Sequence, residues 1–143
     1  MAENNLTTPF VALYQSCFRD TWTDETAINQ VRFVVVDTET TGLNPQSDRI
    51  ISIGAVAVRD GEIMLDDSFE CLMRVKSNTD AVTVHGVTRD ESQKGMEEPE
   101  ALELFLDYLK DGVVVGHHIG HDLATFDAAY ERHWNFQLSN RWI

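Results

Sequence analysis

Two carboxylates one residue apart, Asp37 and Glu39, close the apolar run Phe33-Val34-Val35-Val36. In an extended chain, residues two apart project from the same face, so both groups aim at one point. Two such groups repel each other and lose hydration unless cations sit between them. Hard divalent ions with oxygen ligands meet that need, and Mg²⁺ or Mn²⁺ is the expected cofactor. The plain alternative is a strand end running into a polar loop, where Asp and Thr commonly form turns. A third carboxylate, Asp122, follows a second apolar run, Val113-Val114-Val115, and the polar stretch Gly116 to His121. Catalytic groups gather at such strand ends in open α/β sheets.

The elements that would position these residues are legible in the hydrophobic pattern. A strand over Arg32 to Asp37 is expected, then a second over Arg49 to Arg59. Asp60-Gly61 is a strong hairpin turn, and a third strand runs from Glu62 to Val75. Pro99 opens a helix whose buried stripe is Leu102, Phe105, Leu106 and Leu109, with Gly112 ending it. A fourth strand over Val113 to Gly116, a helix from about Asp122 to Trp134, and a fifth strand starting in Leu138 to Ile143 complete the pattern. Three antiparallel strands followed by helix–strand–helix is the order of the ribonuclease-H-like α/β fold, with a mixed sheet. Residues 1–31 read as a helical extension to a main domain of 32–143. Thr8-Pro9 opens its helix, and Phe10, Val11, Leu13, Tyr14, Cys17 and Phe18 form an apolar stripe. That stripe packs on the main domain or binds a partner.

The chain has 143 residues, 43% hydrophobic and 24% charged, which fits one soluble globular unit. No apolar run approaches the ~20 residues needed to span a membrane. Cys17 and Cys71 are far apart and form no CxxC pattern, which suggests a reducing, cytoplasmic setting and no structural metal. With 11 basic against 24 acidic residues the net charge is −13. Such a balance argues against passive, tight duplex binding, which normally uses a basic face. It does not argue against a metal-loaded pocket, whose ions can make it locally attractive within a Debye length of ~8 Å. His117 and His121 have a helical zinc spacing, but Gly116 and Gly120 bracket them and no HExxH pattern is present.

Read in order, three segments resemble the DEDD (DnaQ-like) 3′–5′ exonucleases, the family of the proofreading epsilon subunit of bacterial DNA polymerase III. Asp37 to Leu43 match the family's Asp-x-Glu-Thr-Thr-Gly-Leu without a gap. His85 to Thr88 match His-Gly-Ile-Thr with Val87 for Ile. Val115 to Asp122 match the second motif with His118 for Asn and His121 for Phe. Phe126-Asp127 offers another register for that motif, and Asp122 is preferred because it needs no gap. The resemblance implies two-metal phosphodiester hydrolysis at the 3′ end of single-stranded DNA, with RNA not excluded and a DNA polymerase as partner. It implies that Asp37, Glu39 and Asp122 are the catalytic metal ligands and converge on one site. It further implies that Thr38, Thr41, Gly42, Leu43, His85 and His118 contact the substrate, with ordinary loop packing as the alternative for Leu43.

The family's last motif, His-x-x-x-x-Asp after the second, has no match following Asp122. Two readings follow: an incomplete exonuclease domain with weak or no activity alone, or a non-catalytic nucleic-acid- or protein-binding module on the same scaffold. The first also implies exposed faces through which two chains could associate.

Overall fold

The structure, a computed structural model, describes residues 8–75 and 94–143. Strand β1 (Phe33–Thr40) pairs antiparallel with β2 (Ile50–Arg59), and β2 with β3 (Glu62–Leu72). Helix α2 (Glu98–Leu109) then crosses over to β4 (Val113–Val115), which pairs parallel to β1. The sheet order is β3-β2-β1-β4. Helix α3 (Ile119–Trp134) follows β4, and α1 (Pro9–Ser16) precedes the sheet. This is the expected ribonuclease-H-like arrangement. Residues 141–143 run alongside β4: Val114 N–H donates to Arg141 O, and Ile143 N–H donates to Val114 O. The fifth strand's first pairing therefore lies where the sequence places it.

Local chemistry explains most element ends. Asp60 and Gly61 both hold positive φ, at 49° and 77°, as the tight hairpin between β2 and β3 requires. α2 starts with Pro99 in its first turn, where a missing N–H costs nothing, and Glu98 and Glu100 complement the helix dipole. It stops two residues before the expected Gly112, because Lys110 itself takes φ 49° and its N–H closes on Leu106 O. The third strand also ends early, at Leu72, after a register shift between Val56 and Ala57 of β2. α3 begins at Ile119, three residues before the expected start.

The core lies on one face of the sheet, where Val34, Val36, Ile53 and Val114 meet Leu102, Phe105, Leu106, Phe126 and Tyr130. Phe105 stacks on Phe126 with centroids 4.7 Å apart and lies 5.4 Å from Phe69, so one aromatic group links β3, α2 and α3. A second register shift, between Glu39 and Thr40, sets Thr40 against Ile50. Ile50 and Ile51 are both buried there, although an undisturbed strand would turn one of them outward.

Helix α1 belongs to this core through Val11 and Tyr14, with Phe10 edge-on to Trp134. Leu13, expected in the buried stripe, is 60% exposed, because the helix turns Val11 and Tyr14 inward. The Tyr14 hydroxyl donates to Asn140 Oδ1 at 2.5 Å and accepts from Ser139 N–H at 2.8 Å. Asn140 Nδ2 in turn donates to the carbonyls of Lys110 and Gly112. The ends of the described chain are thus joined through one buried hydroxyl.

Burial pushes the Tyr14 hydroxyl from its ordinary 10 up to about 12. The native state therefore keeps this proton longer than the unfolded state does. The stability it contributes is present below pH 10 and lost as pH rises toward 12. Tyr14→Phe is expected to lower stability by about 1–3 kcal/mol at neutral pH, since it strands the Ser139 N–H and the Asn140 oxygen. It should also flatten part of the alkaline decline. Denaturant unfolding of both proteins from pH 8 to 12 measures the two effects.

Candidate active site

Alternation along β1 sorts its side chains. Val34, Val36 and Thr38 face the helices, whereas Val35, Asp37 and Glu39 face the other side of the sheet. Residues opposite each other in an antiparallel pair share a face, so Gly54 and Ser52 of β2 lie beside Asp37 and Glu39. Together with Ser68 and Glu70 of β3 they line an open groove of about 700 Å³. Asp37 is exposed and Glu39 half-buried. The expected juxtaposition of Asp37 and Glu39 on one face at the end of the first strand is therefore present. The bulge after Glu39 lies at the end of this groove, a common place for a bulge to re-aim a side chain.

Asp122 reaches the same strand end from the first turn of α3 and is only 8% exposed. Its Oδ1 accepts a hydrogen bond of 2.5 Å from the Thr38 hydroxyl. Thr38, expected among the substrate contacts, turns its side chain away from Asp37 and Glu39 and bonds Asp122. The same two-residue repeat that pairs the carboxylates is the sequence signal for this inward turn. Asp127, the other register for the second motif, accepts from Leu138 N–H at 2.9 Å, and burial raises its carboxyl above the ordinary range. Phe126 is in the core. Asp122 is thus the carboxylate that meets β1.

His118 precedes α3 in the left-handed region, with φ 52° and ψ 36°. Asn and His are among the few non-glycine types that tolerate this conformation, which accounts for His in the family's Asn position. Its ring is exposed against His117, with centroids 4.2 Å apart. His121, in the family's Phe position, has its Nε2 buried and without a hydrogen-bond partner among the described residues. Beyond β1, Thr41 and Gly42 are half-buried and Leu43 is 87% exposed. His85, with the rest of the His85 to Thr88 motif, lies outside the described residues. Asp48 organises the loop after Thr40, a role for which the sequence carries only the weak signal of an Asp in a polar loop.

The donor chemistry suits a hard divalent cation: Asp37 and Glu39 offer carboxylate oxygens from one face. The third expected ligand is turned toward Thr38. Among the described residues no group of three or more His, Cys, Asp or Glu side chains is placed to hold a metal ion. Asp37 and Glu39 share one face, and Asp122 bonds Thr38 at the same strand end.

Comparison with known proteins supplies the family. Residues 34–142 match the exonuclease family model. The chain belongs to that exonuclease family, the DnaQ-like group that its Asp37–Leu43 motif resembles. The PolC-type DNA polymerase III of Thermotoga maritima is 34% identical over 115 residues, covering 78% of this chain and 8% of that protein. The PolC-type enzyme of Staphylococcus haemolyticus is 35% identical over 107 residues, covering 73% and 7%. The chain thus spans less than a tenth of the length of these relatives. Among solved structures, exonuclease I in its apo form superposes with a TM-score of 0.67 at 17% identity, covering 80% of this chain and 29% of that one. E. coli exonuclease I in complex with a dT13 oligonucleotide gives 0.66 at 18%, covering 79% and 27%. These likenesses show the shared fold.

Removing the Thr38 hydroxyl leaves a nearly buried carboxylate without its donor. Thr38→Val is expected to cost about 1–3 kcal/mol of stability, and Thr38→Ser to retain most of it. Urea unfolding measures both. An unchanged midpoint in Thr38→Val would mean the bond adds nothing to the folded state.

Proposed function

We propose that this chain is a metal-dependent 3′–5′ exonuclease domain that removes nucleotides from the 3′ end of single-stranded DNA. One observation carries the reading: Asp37 and Glu39 stand together on the open face at the end of the central strand β1, where Asp122 lies in the first turn of α3. DnaQ-like exonucleases generally use divalent metals. Asp37 and Glu39 are the residues that would hold Mg²⁺ or Mn²⁺, and Asp122 is the remaining carboxylate at that strand end. Such ions, when bound, activate a water and neutralise charge on the phosphate. The side chains of this chain have separate tasks. Glu39 orients the attacking water, Asp37 anchors the site, and the Thr41–Leu43 segment receives the terminal nucleotide.

The DNA substrate is supported by the complex of exonuclease I with an oligonucleotide, and a polymerase context by the PolC-type relatives. The expected self-association has no support in the comparisons. Two free cysteines fit a reducing, cytoplasmic setting. Among the described residues no helix is long and apolar enough to cross a membrane.

A second reading, a non-catalytic binding module, is favoured by one observation: Asp122 is engaged by Thr38 rather than grouped with Asp37 and Glu39. An assay separates the two. The purified chain is incubated with Mn²⁺ and a 5′-labelled oligonucleotide, and the product ladder is followed in time. Shortening from the 3′ end is expected, with Asp37→Ala and Glu39→Ala each lowering the rate ~10²–10⁴-fold, the range of positioned catalytic groups. DNA binding without any shortening fits both the module and an incomplete domain, and shortening restored in a longer chain would favour the incomplete domain. The same assay tests the low rate expected from the missing His-x4-Asp pair. Robust turnover that Asp37→Ala abolishes would mean that the general base comes from within this chain, with His117, His118 and His121 the first to test.

A further inference from the structure

The loop Thr41 to Arg49 leaves the strand that carries Asp37 and Glu39, and its hydrogen bonds converge on one carboxylate. Asp48 Oδ1 accepts from the Thr41 hydroxyl at 3.0 Å, and Asp48 Oδ2 accepts from Asn44 N–H at 2.7 Å. The Thr41 hydroxyl accepts in turn from Arg49 N–H at 2.9 Å, while Thr41 N–H donates to Arg49 O at 2.9 Å. Asp48 N–H donates to Asn44 O at 2.8 Å. The loop is therefore tied at its base and across its middle. Gly42 lies directly against the carboxylate: a Cβ there would stand 2.6 Å from Oδ2. No side chain larger than glycine fits between the Gly42 backbone and Asp48 unless the carboxylate moves.

This arrangement leaves Leu43 87% exposed on a braced base. A single exposed leucine is ordinary on a protein surface. What sets this one apart is that the residues before it are held by a charged side chain whose two oxygens are both engaged. Each carboxylate oxygen has a donor within the loop.

We propose that Asp48 is a positioning residue that holds Thr41–Leu43 as a preformed platform for the terminal nucleotide of the single strand. This rests on the exonuclease reading given above and adds to it the group that sets the platform's shape. Binding to a flexible loop would lose affinity to the ordering of that loop, and a braced loop avoids the loss. The nucleotide's base and sugar would meet the Gly42 backbone and the Leu43 side chain. Asp48 itself touches neither the substrate nor the reacting atoms.

The experiment uses the full chain with Asp48→Ala, Asp48→Asn and the Asp37→Ala control. Binding of the mononucleotide dTMP is followed by NMR titration, and kcat and KM are measured on oligo-dT with Mn²⁺. Asp48→Ala is expected to weaken dTMP binding and raise KM about tenfold, the effect of reordering one or two residues, while kcat changes less than about twofold. Asp48→Asn can still accept from Asn44 N–H through its amide oxygen, so it should recover most of both. Amide exchange at Asn44 should accelerate in Asp48→Ala. If circular dichroism shows that Asp48→Ala does not fold, Asp48→Ser is judged by the same criteria. Unchanged dTMP affinity and KM, or a loss confined to kcat, would overturn the role of Asp48. If that occurs while Asp37→Ala abolishes turnover, the exonuclease reading stands and this inference alone fails. A wild-type chain that neither binds dTMP nor shortens DNA would overturn both.

Discussion

Parallel pairing of Phe33–Val35 with Val113–Val115 brings the ends of β1 and β4 to one edge of the sheet. Parallel neighbours cannot be joined by a tight turn, so the chain needs a crossover, and α2 supplies its helix. The pairing sends the residues after β4 into α3 beside the end of β1. Asp122, far from Asp37 in sequence, therefore meets Thr38. Without that register the two acidic motifs would lie on unrelated parts of the surface.

The second constraint is the two-residue repeat of β1. Its inward face must be apolar to pack on the helices, and Val34 and Val36 are essentially buried. Its outward face is free to carry charge, and Asp37 and Glu39 stand there. Thr38 joins the two roles. It points inward with the core residues, but at the strand end, where its hydroxyl can meet the half-polar start of α3. A buried carboxylate needs hydrogen-bonding partners, and this hydroxyl supplies one.

The scaffold is braced at several points away from the site. Arg32 forms a bidentate pair with Asp67, lies over the Tyr108 ring, and donates to Leu109 O. The Arg32 contact holds the Asp67 carboxyl below its ordinary range despite partial burial. One guanidinium thus links β1's approach, β3 and α2. Other basic residues are also paired: Arg132 with Glu98, and, in more exposed pairs, Arg74 with Glu97 and Arg141 with Asp24. Exposed pairs of this type add little stability. They do show positive charge engaged with neighbouring acids, in keeping with the net −13.

The strands, the hairpin at Asp60-Gly61, the buried stripe of α2 and the pairing of Asp37 with Glu39 are all legible in the order of residues alone. Each follows from local rules, namely alternation, turn chemistry and helical spacing, which act within a few residues. The resemblance to the exonuclease family is local in the same sense, since the unbroken run Asp37–Leu43 carries it. Other features come from packing between distant segments. Leu13 turns outward and Val11 inward, because the face of a short helix is chosen by what it packs against. The left-handed end of α2 falls at Lys110, where Asn140 bonds the Lys110 and Gly112 carbonyls. Asp122 bonds Thr38 of β1, whereas Asp127 accepts from Leu138 N–H. Thr38 and Asp48 owe their roles to contacts across the fold or across a loop. Such contacts depend on where two backbones meet in space, and residue spacing along one chain does not specify that distance.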